Sequence, residues 1–454
     1  MEQEHLAHGL RAWVEQVTDS PISRATRLTG GNRREGWLVD LQRGNTSPER
    51  VYLRVDVSPP GDAADPFTLA REGVVYRALR EAYGRIPALL AEHPTGKALL
   101  IEAVPGESDY GAVTDVDTRT KISEDLVEAL VELHSIDPLD LADLSPSLRP
   151  LPSISANTMH QLEQWSDAYQ RSGRPDTLIE LGRHWLVEHL PAPSDAPRIV
   201  HGDFGPGNFI FTGGSVTALI DWELAHIGDP VEDLAWLSMR SVFAPVPDLA
   251  ALVKRYETSS GLVVDRDRLL YHRVFVQWRV AVIRHLAIGD PDPGGDVGTG
   301  LISQAVNRRL LVEAMAQASG VPLSAPPPLD AGHDGPRDWL YEAVLALVRN
   351  DIAPHLLDPV GAARSRSVSR IVKYLRDQER LAPAAQAREL ASLRNLLGNV
   401  EDLESARHEL VRRVVEKRVP LSTTIPHLWL VVSDETDMQR SGLGALADAH
   451  LPVF

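Results

Sequence analysis

Three side chains that carry oxygen atoms stand between Ile199 and Trp236 at a spacing that could support catalysis. Asp203 and Asn208 are five residues apart, and Asp221 follows eighteen residues after Asp203. A carboxylate can orient an attacking hydroxyl and accept its proton, while carboxylate and amide oxygens are ligands that hold Mg²⁺ on nucleotide phosphates. We predict that Asp203 is the base and that Asn208 and Asp221 are metal ligands. The competing interpretation is that these residues only cap turns at strand ends.

Apolar strands must carry these three side chains to one place. Residues 209–211 and 218–220 are apolar runs joined by a tight turn, and a polar loop lies at the far end of each run. We predict that the oxygens of both loops converge at the mouth of one crevice. His201 is predicted to hold the backbone of the first loop rather than to act as the base. Asp233 is predicted to tie the following helix to that loop.

The pattern His-Gly-Asp-x-x-x-x-Asn at residues 201–208, with Asp221 at the end of the next apolar strand, carries a family resemblance. It resembles the catalytic and metal loops of the aminoglycoside phosphotransferase (choline kinase-like) family, the small-molecule branch of the protein kinases. Over roughly residues 20 to 320, the resemblance implies an α+β fold of the bilobal, protein-kinase-like kind, with a small antiparallel β lobe and a larger, mainly helical lobe. It also implies ATP and Mg²⁺ as cofactors and a small-molecule hydroxyl as the acceptor.

A narrower resemblance rests on Ile-Asp-Trp-Glu at residues 220–223, Ile-Gly-Asp-Pro at 227–230 and Asp-Leu-Ala-Trp at 233–236. These segments resemble the kinase-like domains that are fused or adjacent to acyl-CoA dehydrogenases. The resemblance implies a hydroxyacyl-CoA or related acyl thioester as the preferred acceptor and an acyl-CoA dehydrogenase as a partner. Two alternatives stay open. One is a kinase for an aminoglycoside, a macrolide or an amino alcohol, and the other is a catalytically silent nucleotide- or CoA-binding module that regulates an acyl-CoA dehydrogenase.

The resemblance places the nucleotide in the small lobe. Gly30 and Gly31, between two predicted strands, would let backbone amides approach the phosphates, with Arg33 or Arg34 adding charge. Gly-Gly-Asn is also a good hairpin turn in any sheet. Backbone groups from Glu102 to Val104, in the predicted hinge between the lobes, would meet the adenine edge.

Arg54 is a departure from the family pattern, because these kinases place a lysine at this strand position. An arginine keeps the positive charge and can bind phosphate bidentately, but its planar fork differs from the compact ammonium of a lysine. Glu72, on a predicted helix, matches the glutamate that pairs with the strand cation. The same arginine keeps the silent-module alternative open, whereas the intact Asp203, Asn208 and Asp221 favour an enzyme.

Composition limits the class of protein. The chain has 454 residues, of which 43% are hydrophobic and 24% charged, as is usual for a soluble globular protein. The net charge of -17 argues against nucleic acid as a partner. No cysteine is present, which excludes disulfides and thiolate metal sites. The first sixteen residues lack a continuous apolar core, so we predict neither a signal peptide nor a membrane span, and we expect a cytoplasmic protein.

Four segments are predicted along the chain. Residues 1–105 form the kinase-like N-lobe, 106–320 the C-lobe with the catalytic and metal loops, 321–336 a proline-rich linker, and 337–454 a C-terminal helical domain. From residue 339 to about 417, helical periodicity favours a small antiparallel bundle of three or four helices. The apolar run at 429–432 fits either a docked strand or a short helix. No chemical site is predicted in this domain, which we expect to bind a partner or to form a homodimer.

Overall fold

The computed structural model describes residues 6–28, 34–42, 49–57, 68–141, 148–289, 296–329 and 335–454. Within these ranges the chain forms two compact units. The first comprises Met1–His160, Ala192–Val264 and Pro452–Phe454, and the second comprises Gln161–Pro191 and Asp265–Leu451. The predicted domain limits at residues 105, 320 and 336 stay a prediction. The two compact units do not test them, because one domain can contribute segments to both units.

In the described ranges every strand lies before residue 229, and the regular elements after that residue are helices. In chain order, the elements up to residue 190 are α1 (His8–Thr18), β1 (Ile22–Arg27), β2 (Arg34–Leu41), β3 (Glu49–Asp56), α2 (Leu69–Leu79), β4 (Leu89–Glu92), β5 (Ala98–Glu102), α3 (Val116–Ser135), α4 (Ile154–Arg171) and α5 (Thr177–Glu188). The later elements are β6 (Arg198–Val200), β7 (Phe209–Thr212), β8 (Ser215–Leu219), β9 (His226–Gly228), α6 (Val231–Arg240), α7 (Leu249–Ser260), α8 (Arg266–Gly289), α9 (Val297–Ala318), α10 (Asp338–Leu347), α11 (Pro359–Leu397), α12 (Leu403–Val415), α13 (Leu421–Asp437) and α14 (Arg440–Leu443).

A five-stranded antiparallel sheet opens the first unit, with the strands in the spatial order β1-β2-β3-β5-β4. Side chains alternate between the two faces of a strand, so the apolar residues of β2 and β3 share one face and α1 packs on it. Arg54 lies opposite Gly36 in the register of these strands and belongs to the other face. The buried core on the α1 side includes Trp13, Val14, Trp37, Val39, Leu41, Val51, Leu53, Val55 and Leu100.

Two short antiparallel pairs in the first unit hold the polar loops. Strand β6 pairs with β9, and β7 pairs with β8. The loop 201–208 runs from the end of β6 to the start of β7, and Asp221 follows the end of β8 after one residue. Both loops therefore begin or end on short strands, as the sequence pattern predicts, and α6 follows β9 directly to pack behind the first loop.

The regular elements among the described residues of the second unit are all helices. Helix α8 buries the apolar residues Val274, Phe275, Val276 and Trp278, and it buries the polar residues Arg273, Gln277 and Arg279 as well. The C-terminal region from α10 onwards is also helical, as predicted. The run 429–432 lies inside the 17-residue helix α13, which excludes the strand alternative. Within the described ranges, no helix has both the length and the apolar composition that crossing a bilayer requires.

Candidate active site

Asp203 and Asn208 are in direct contact. The Asn208 Nδ2 donates to the Asp203 backbone oxygen at 2.8 Å and to Asp203 Oδ2 at 2.8 Å. The Asn208 backbone accepts a hydrogen bond from the Ile220 N–H at 3.0 Å, which ties the first loop to the strand that leads to Asp221. The amide nitrogen of Asn208 is a donor and is hydrogen-bonded to Asp203. The amide oxygen, which carries lone pairs, is the side-chain atom of Asn208 that can bind a cation.

A buried carboxylate on α6 fixes the backbone of the loop 201–208, the predicted catalytic loop. Asp233 Oδ2 accepts from the His201 N–H at 2.8 Å, and Oδ1 accepts from the Gly202 N–H at 3.0 Å. His134 Nε2 lies 3.1 Å from Asp233 Oδ2, while His134 Nδ1 lies 2.7 Å from the Tyr256 hydroxyl. The predicted role of Asp233 as the link between α6 and the loop is confirmed. All these groups are buried, so the loop backbone has little freedom.

His201 also behaves as predicted, as a side chain that holds the backbone. Its Nε2 donates to the Ile220 carbonyl oxygen at 3.0 Å, and its Nδ1 accepts from the Asp203 N–H at 3.3 Å. Burial lowers the pKa of His201 despite the nearby Asp233 and Asp203 carboxylates. A neutral imidazole with one donor and one acceptor therefore spans the catalytic loop and the strand end before Asp221.

Arg240, the last residue of α6, is a site residue that the sequence reasoning missed. Its Nε donates to Asp203 Oδ1 at 2.8 Å, its Nη2 contacts Asp203 Oδ2, and its Nη1 donates to the Pro206 carbonyl at 3.1 Å. Burial by itself would lower the pKa of Arg240, but the Asp203 carboxylate outweighs it and raises that pKa. Both carboxylate oxygens of Asp203 are thus held by one guanidinium.

Glycine is required at two positions of the same loop. Gly202 has φ +80°, and a Cβ there would lie 2.3 Å from the Leu224 carbonyl oxygen. Gly205 has φ +136°, and a Cβ there would lie 3.1 Å from the Cβ of Arg240. Left-handed backbone and close approach both exclude larger side chains. The second glycine makes room for the arginine that holds Asp203.

Asp221 has an unusual backbone conformation, with φ 67° and ψ 61°. A non-glycine residue in this left-handed region costs about 1–2 kcal/mol, and such residues cluster at functional sites. Asp221 Oδ1 accepts from Arg54 Nη2 at 2.6 Å. Burial would raise the pKa of Asp221, but the Arg54 guanidinium outweighs it and lowers that pKa. The carboxylate is therefore ionised at neutral pH and suited to a cation.

Arg34, Arg54, Glu72, Asp221 and Glu223 together form what we call the arginine–carboxylate cluster. Glu72 Oε2 lies 3.1 Å from Arg34 Nη1 and 3.3 Å from Arg54 Nε. Glu223 Oε2 lies 2.5 Å from Arg34 Nη1 and 2.8 Å from Arg54 Nη2. The predicted contact between Arg54 and Glu72 is present, and Arg54 reaches Asp221 as well. Glu223, which the sequence analysis used only as part of a family motif, joins both arginines.

Burial and like charge shift the two glutamates of this cluster. Glu72 is fully buried, and burial raises its pKa despite the Arg54 and Arg34 charges. Burial, with the charge of Asp221, raises the pKa of Glu223 to about 6. Three carboxylates and two guanidinium groups share this region, so it carries one more negative than positive charge when every group is ionised.

Arg71 ties helix α2 to the segment after Asp221. Its Nη1 donates to the Glu223 carbonyl oxygen at 3.1 Å, and its Nη2 contacts the Ala225 carbonyl oxygen. Arg71 immediately precedes Glu72 on α2, so the helix that carries Glu72 is also hydrogen-bonded to the short 3₁₀ turn Trp222–Leu224. The position of Glu72 and the position of the segment that follows Asp221 are thereby linked.

The predicted nucleotide residues have different positions. Gly30 and Gly31 lie outside the described residues. Glu102 ends β5, and its Oε2 accepts from the Ala88 N–H at 3.1 Å. Val104 follows in the segment between β5 and the bridge that joins Glu107 to Phe211 of β7. Arg54 pairs with Leu99 in the sheet register, three residues before Glu102.

The oxygen donors suit Mg²⁺ as a metal that is shared with phosphates. In the part of the chain that the structure describes, no group of three or more His, Asp or Glu side chains is arranged to hold a metal ion. Mg²⁺ commonly takes one or two protein oxygens and completes its shell with substrate phosphates and water. One ionised carboxylate, Asp221, and one amide oxygen, Asn208, fit that requirement.

The fold and this site define a phosphotransferase. The sequence model of the Phosphotransferase enzyme family matches residues 25–271, more than half of the chain, and the chain belongs to this family. The predicted family is thereby confirmed.

Curated relatives include proteins with an acyl-CoA dehydrogenase name. Acyl-CoA dehydrogenase family member 11 of Pongo abelii is 29% identical over 153 residues, which cover 33% of this chain and 18% of the relative. The probable acyl-CoA dehydrogenase IBR3 of Arabidopsis thaliana is 24% identical over 265 residues, which cover 52% of this chain and 30% of the relative. The chain thus matches less than a third of the length of either relative.

A solved structure supports the fold. The structure assigned as an aminoglycoside phosphotransferase from Ralstonia eutropha JMP134 has a TM-score of 0.53 and 21% identity, over 69% of this chain and 98% of that one. At this level of identity the likeness concerns the fold alone. It confirms the predicted kinase-like α+β fold with additional C-terminal helices.

Proposed function

We propose that this phosphotransferase transfers the γ-phosphate of ATP to a hydroxyl of a small molecule, with a hydroxyacyl-CoA or related acyl thioester as the preferred acceptor. The observation that supports this most directly is the Asp203 carboxylate, which Asn208 and Arg240 hold at 2.8 Å in a loop hydrogen-bonded to the strand before Asp221. A carboxylate that is fixed in this way can orient a hydroxyl without a further loss of its own conformational entropy.

Asp203 is the proposed general base. It would accept the proton of the acceptor hydroxyl as the oxygen attacks phosphorus. Asn208 and Arg240 each donate to its oxygens, so the carboxylate keeps one orientation. Arg240 would also stabilise negative charge that develops beside Asp203, because its guanidinium cannot lose its proton in a protein.

The metal and phosphates would lie among groups of the arginine–carboxylate cluster. Asn208 and Asp221 would hold Mg²⁺, which neutralises phosphate charge during transfer. Arg54, with Glu72 to orient it, is the proposed phosphate contact in place of the family lysine, and Arg34 is a second cation for the same purpose. Gly30 and Gly31 are proposed to cover the phosphates. Backbone groups from Glu102 to Val104 are proposed to meet adenine.

The acyl thioester preference rests on similarity to the kinase-like parts of the acyl-CoA dehydrogenase relatives. On the same ground we propose an acyl-CoA dehydrogenase as a partner. A cytoplasmic location is a separate proposal, which rests on the sequence features described above. A homodimer through the C-terminal helices is a further proposal. One observation favours the silent-module alternative: Arg54, in place of lysine, contacts the proposed metal ligand Asp221 directly.

An acceptor panel with an Asp203 variant tests the proposal. Purified protein with Mg-ATP is assayed for ADP release with hydroxyacyl-CoA thioesters, an aminoglycoside, a macrolide and an amino alcohol. We expect turnover of a hydroxyacyl-CoA and a loss of about 10²–10⁴ in kcat in Asp203→Asn, the range for general-base catalysis. Asp248→Asn is the matched control, because Asp248 only caps α7 and asparagine caps equally well.

Two results would contradict the proposal in different ways. Turnover of an aminoglycoside, macrolide or amino alcohol alone would replace the acyl thioester while keeping the enzyme. No turnover of any acceptor, with unchanged nucleotide affinity in Asp203→Asn, would establish the silent module instead.

A further inference from the structure

A polar cavity lies within the second unit. Its volume is about 290 Å³, and helices α9, α11 and α13 form most of its wall, with single residues from α12 and from the start of α5. On α11 the lining residues Tyr374, Gln378, Ala382, Ala385 and Glu389 are three or four positions apart, so they share one face of the helix. Residues of this face would be apolar in an ordinary bundle core.

Small and polar side chains replace the expected apolar ones. The two alanines, Ala382 and Ala385, occupy the middle of the α11 face, where a leucine would fill the space. Gln439, two residues after the end of α13, also lines the cavity and is only 8% exposed. Among the described residues its Oε1 has no hydrogen-bond partner. A buried amide oxygen without a partner is unfavourable, and a bound molecule with a donor group would satisfy it.

The charged residues of the wall leave a negative excess. Arg308 is shared by two carboxylates, with Nη1 2.7 Å from Asp176 and Nε 2.8 Å from Glu435. Burial would raise the pKa of Asp176, but Arg308 outweighs it and lowers that pKa. Arg407 makes two hydrogen bonds to Glu389, from Nε to Oε1 and from Nη2 to Oε2, each at 2.6 Å.

The remaining carboxylate of the wall is also paired. Asp434 accepts from Arg388 Nε at 3.0 Å. Pairing each of Arg308, Arg388 and Arg407 with one carboxylate leaves one carboxylate over. Both lining guanidinium groups already bind carboxylates, so the wall favours a cation over an anion.

We infer that this cavity is a binding site for a small organic cation, an aliphatic amine with few heavy atoms and further hydrogen-bonding groups. The extra carboxylate would pair with the ammonium group, and the amide of Gln439 and the hydroxyl of Tyr374 would hydrogen-bond to the rest of the molecule. The site belongs to helices outside the residues proposed for phosphoryl transfer, and the inference does not depend on that function.

Titration calorimetry on the full chain tests the inference with putrescine and ethanolamine as cationic probes and glutamate as the anionic one. We expect saturable binding of a cationic probe with Kd of about 1 mM or tighter, as is reasonable for so few heavy atoms. Ala385→Leu should fill the cavity and weaken binding at least tenfold. Ala384→Leu is the matched control, because Ala384 is an exposed neighbour on the same helix that does not line the cavity.

A second variant covers the case in which Ala385→Leu fails to fold. Glu435→Gln keeps the shape of the wall but removes one negative charge, and Asp176 remains as a partner for Arg308. We expect at least tenfold weaker binding of the cationic probe. The inference is overturned if neither amine saturates up to 10 mM, if glutamate binds more tightly than both amines, or if Glu435→Gln and Ala385→Leu both bind as the unaltered chain does.

Discussion

Replacing Glu72 with glutamine tests whether the arginine–carboxylate cluster is held together by this one buried charge. Its Oε2 lies within 3.3 Å of both Arg34 and Arg54, and the carboxylate is fully buried. Removing one partner of a buried ion pair typically costs about 3–5 kcal/mol. Both arginines keep Glu223, and Arg54 keeps Asp221, so their charges stay partly compensated. We therefore expect the free energy of unfolding to fall by an amount at the lower end of this range, about 3 kcal/mol.

The same substitution should weaken nucleotide binding. Arg54 loses one of the three carboxylates that fix its guanidinium, and a loss of about 1.4 kcal/mol in positioning corresponds to a tenfold higher Kd for Mg-ATP. Urea denaturation followed by circular dichroism gives the stability, and titration calorimetry gives the Kd. Glu81→Gln is the control, because Glu81 is almost fully exposed. A Glu72→Gln variant within about 0.5 kcal/mol of the unaltered protein, the usual range for a surface substitution, would refute this reasoning.

Two other substitutions address the loop and the second unit. In Asp233→Asn, one buried backbone N–H of His201 or Gly202 faces an amide NH₂ instead of a carboxylate oxygen. We expect about 2 kcal/mol less stability in urea and at least tenfold lower kcat in the ADP-release assay, and an unchanged kcat would contradict the proposed role of the loop. Burial lowers the pKa of His427 from 6.5 to about 4, so the unfolded chain binds the extra proton. Stability should be complete above pH 6.5 and should fall by about 2 kcal/mol by pH 5, and thermal unfolding of His427→Asn should lose this dependence. An equal pH dependence in that variant would assign the effect to other groups.

The sequence predicted the part of the site that is encoded by short spacing. Asp203, Asn208 and Asp221 lie in loops bounded by apolar strands, and this local pattern can be recognised without a structure. Arg240 could not be recognised in the same way. It lies 37 residues after Asp203 and reaches it only because Asp233 anchors α6 against the catalytic loop.

Tertiary contacts also explain the missed partners in the cluster. Glu223 is 169 residues from Arg54 and 189 residues from Arg34, so no periodicity connects them. From the sequence alone, Arg34 could be identified only as one of two cations, Arg33 or Arg34, that could contact the phosphates. Packing of α2 against the segment after β8 brings these charges together, and such packing leaves no trace in local composition.

The fold was predictable where patterns are long and was ambiguous where they are short. The antiparallel strands β2 and β3 and the helical C-terminal region follow from periodicity over many residues. Strand β4 has only four residues and was not predicted. The run 429–432 is apolar and β-branched, which fits a strand or a helix, and the neighbouring turns of α13 decide it. The residues that line the polar cavity come from helices that are far apart in the sequence, so no sequence motif predicts the cavity.

The contacts of Arg71 have a mechanical consequence. If helix α2, which carries Glu72, moved away, the Arg71 guanidinium would lose its hydrogen bonds to the carbonyl oxygens of Glu223 and Ala225. Helix α2 and the turn that follows Asp221 are therefore mechanically coupled. Any effector that shifts one must distort the other, so a displacement of α2 would disturb the proposed cation ligand Asp221 together with the proposed nucleotide contact Arg54.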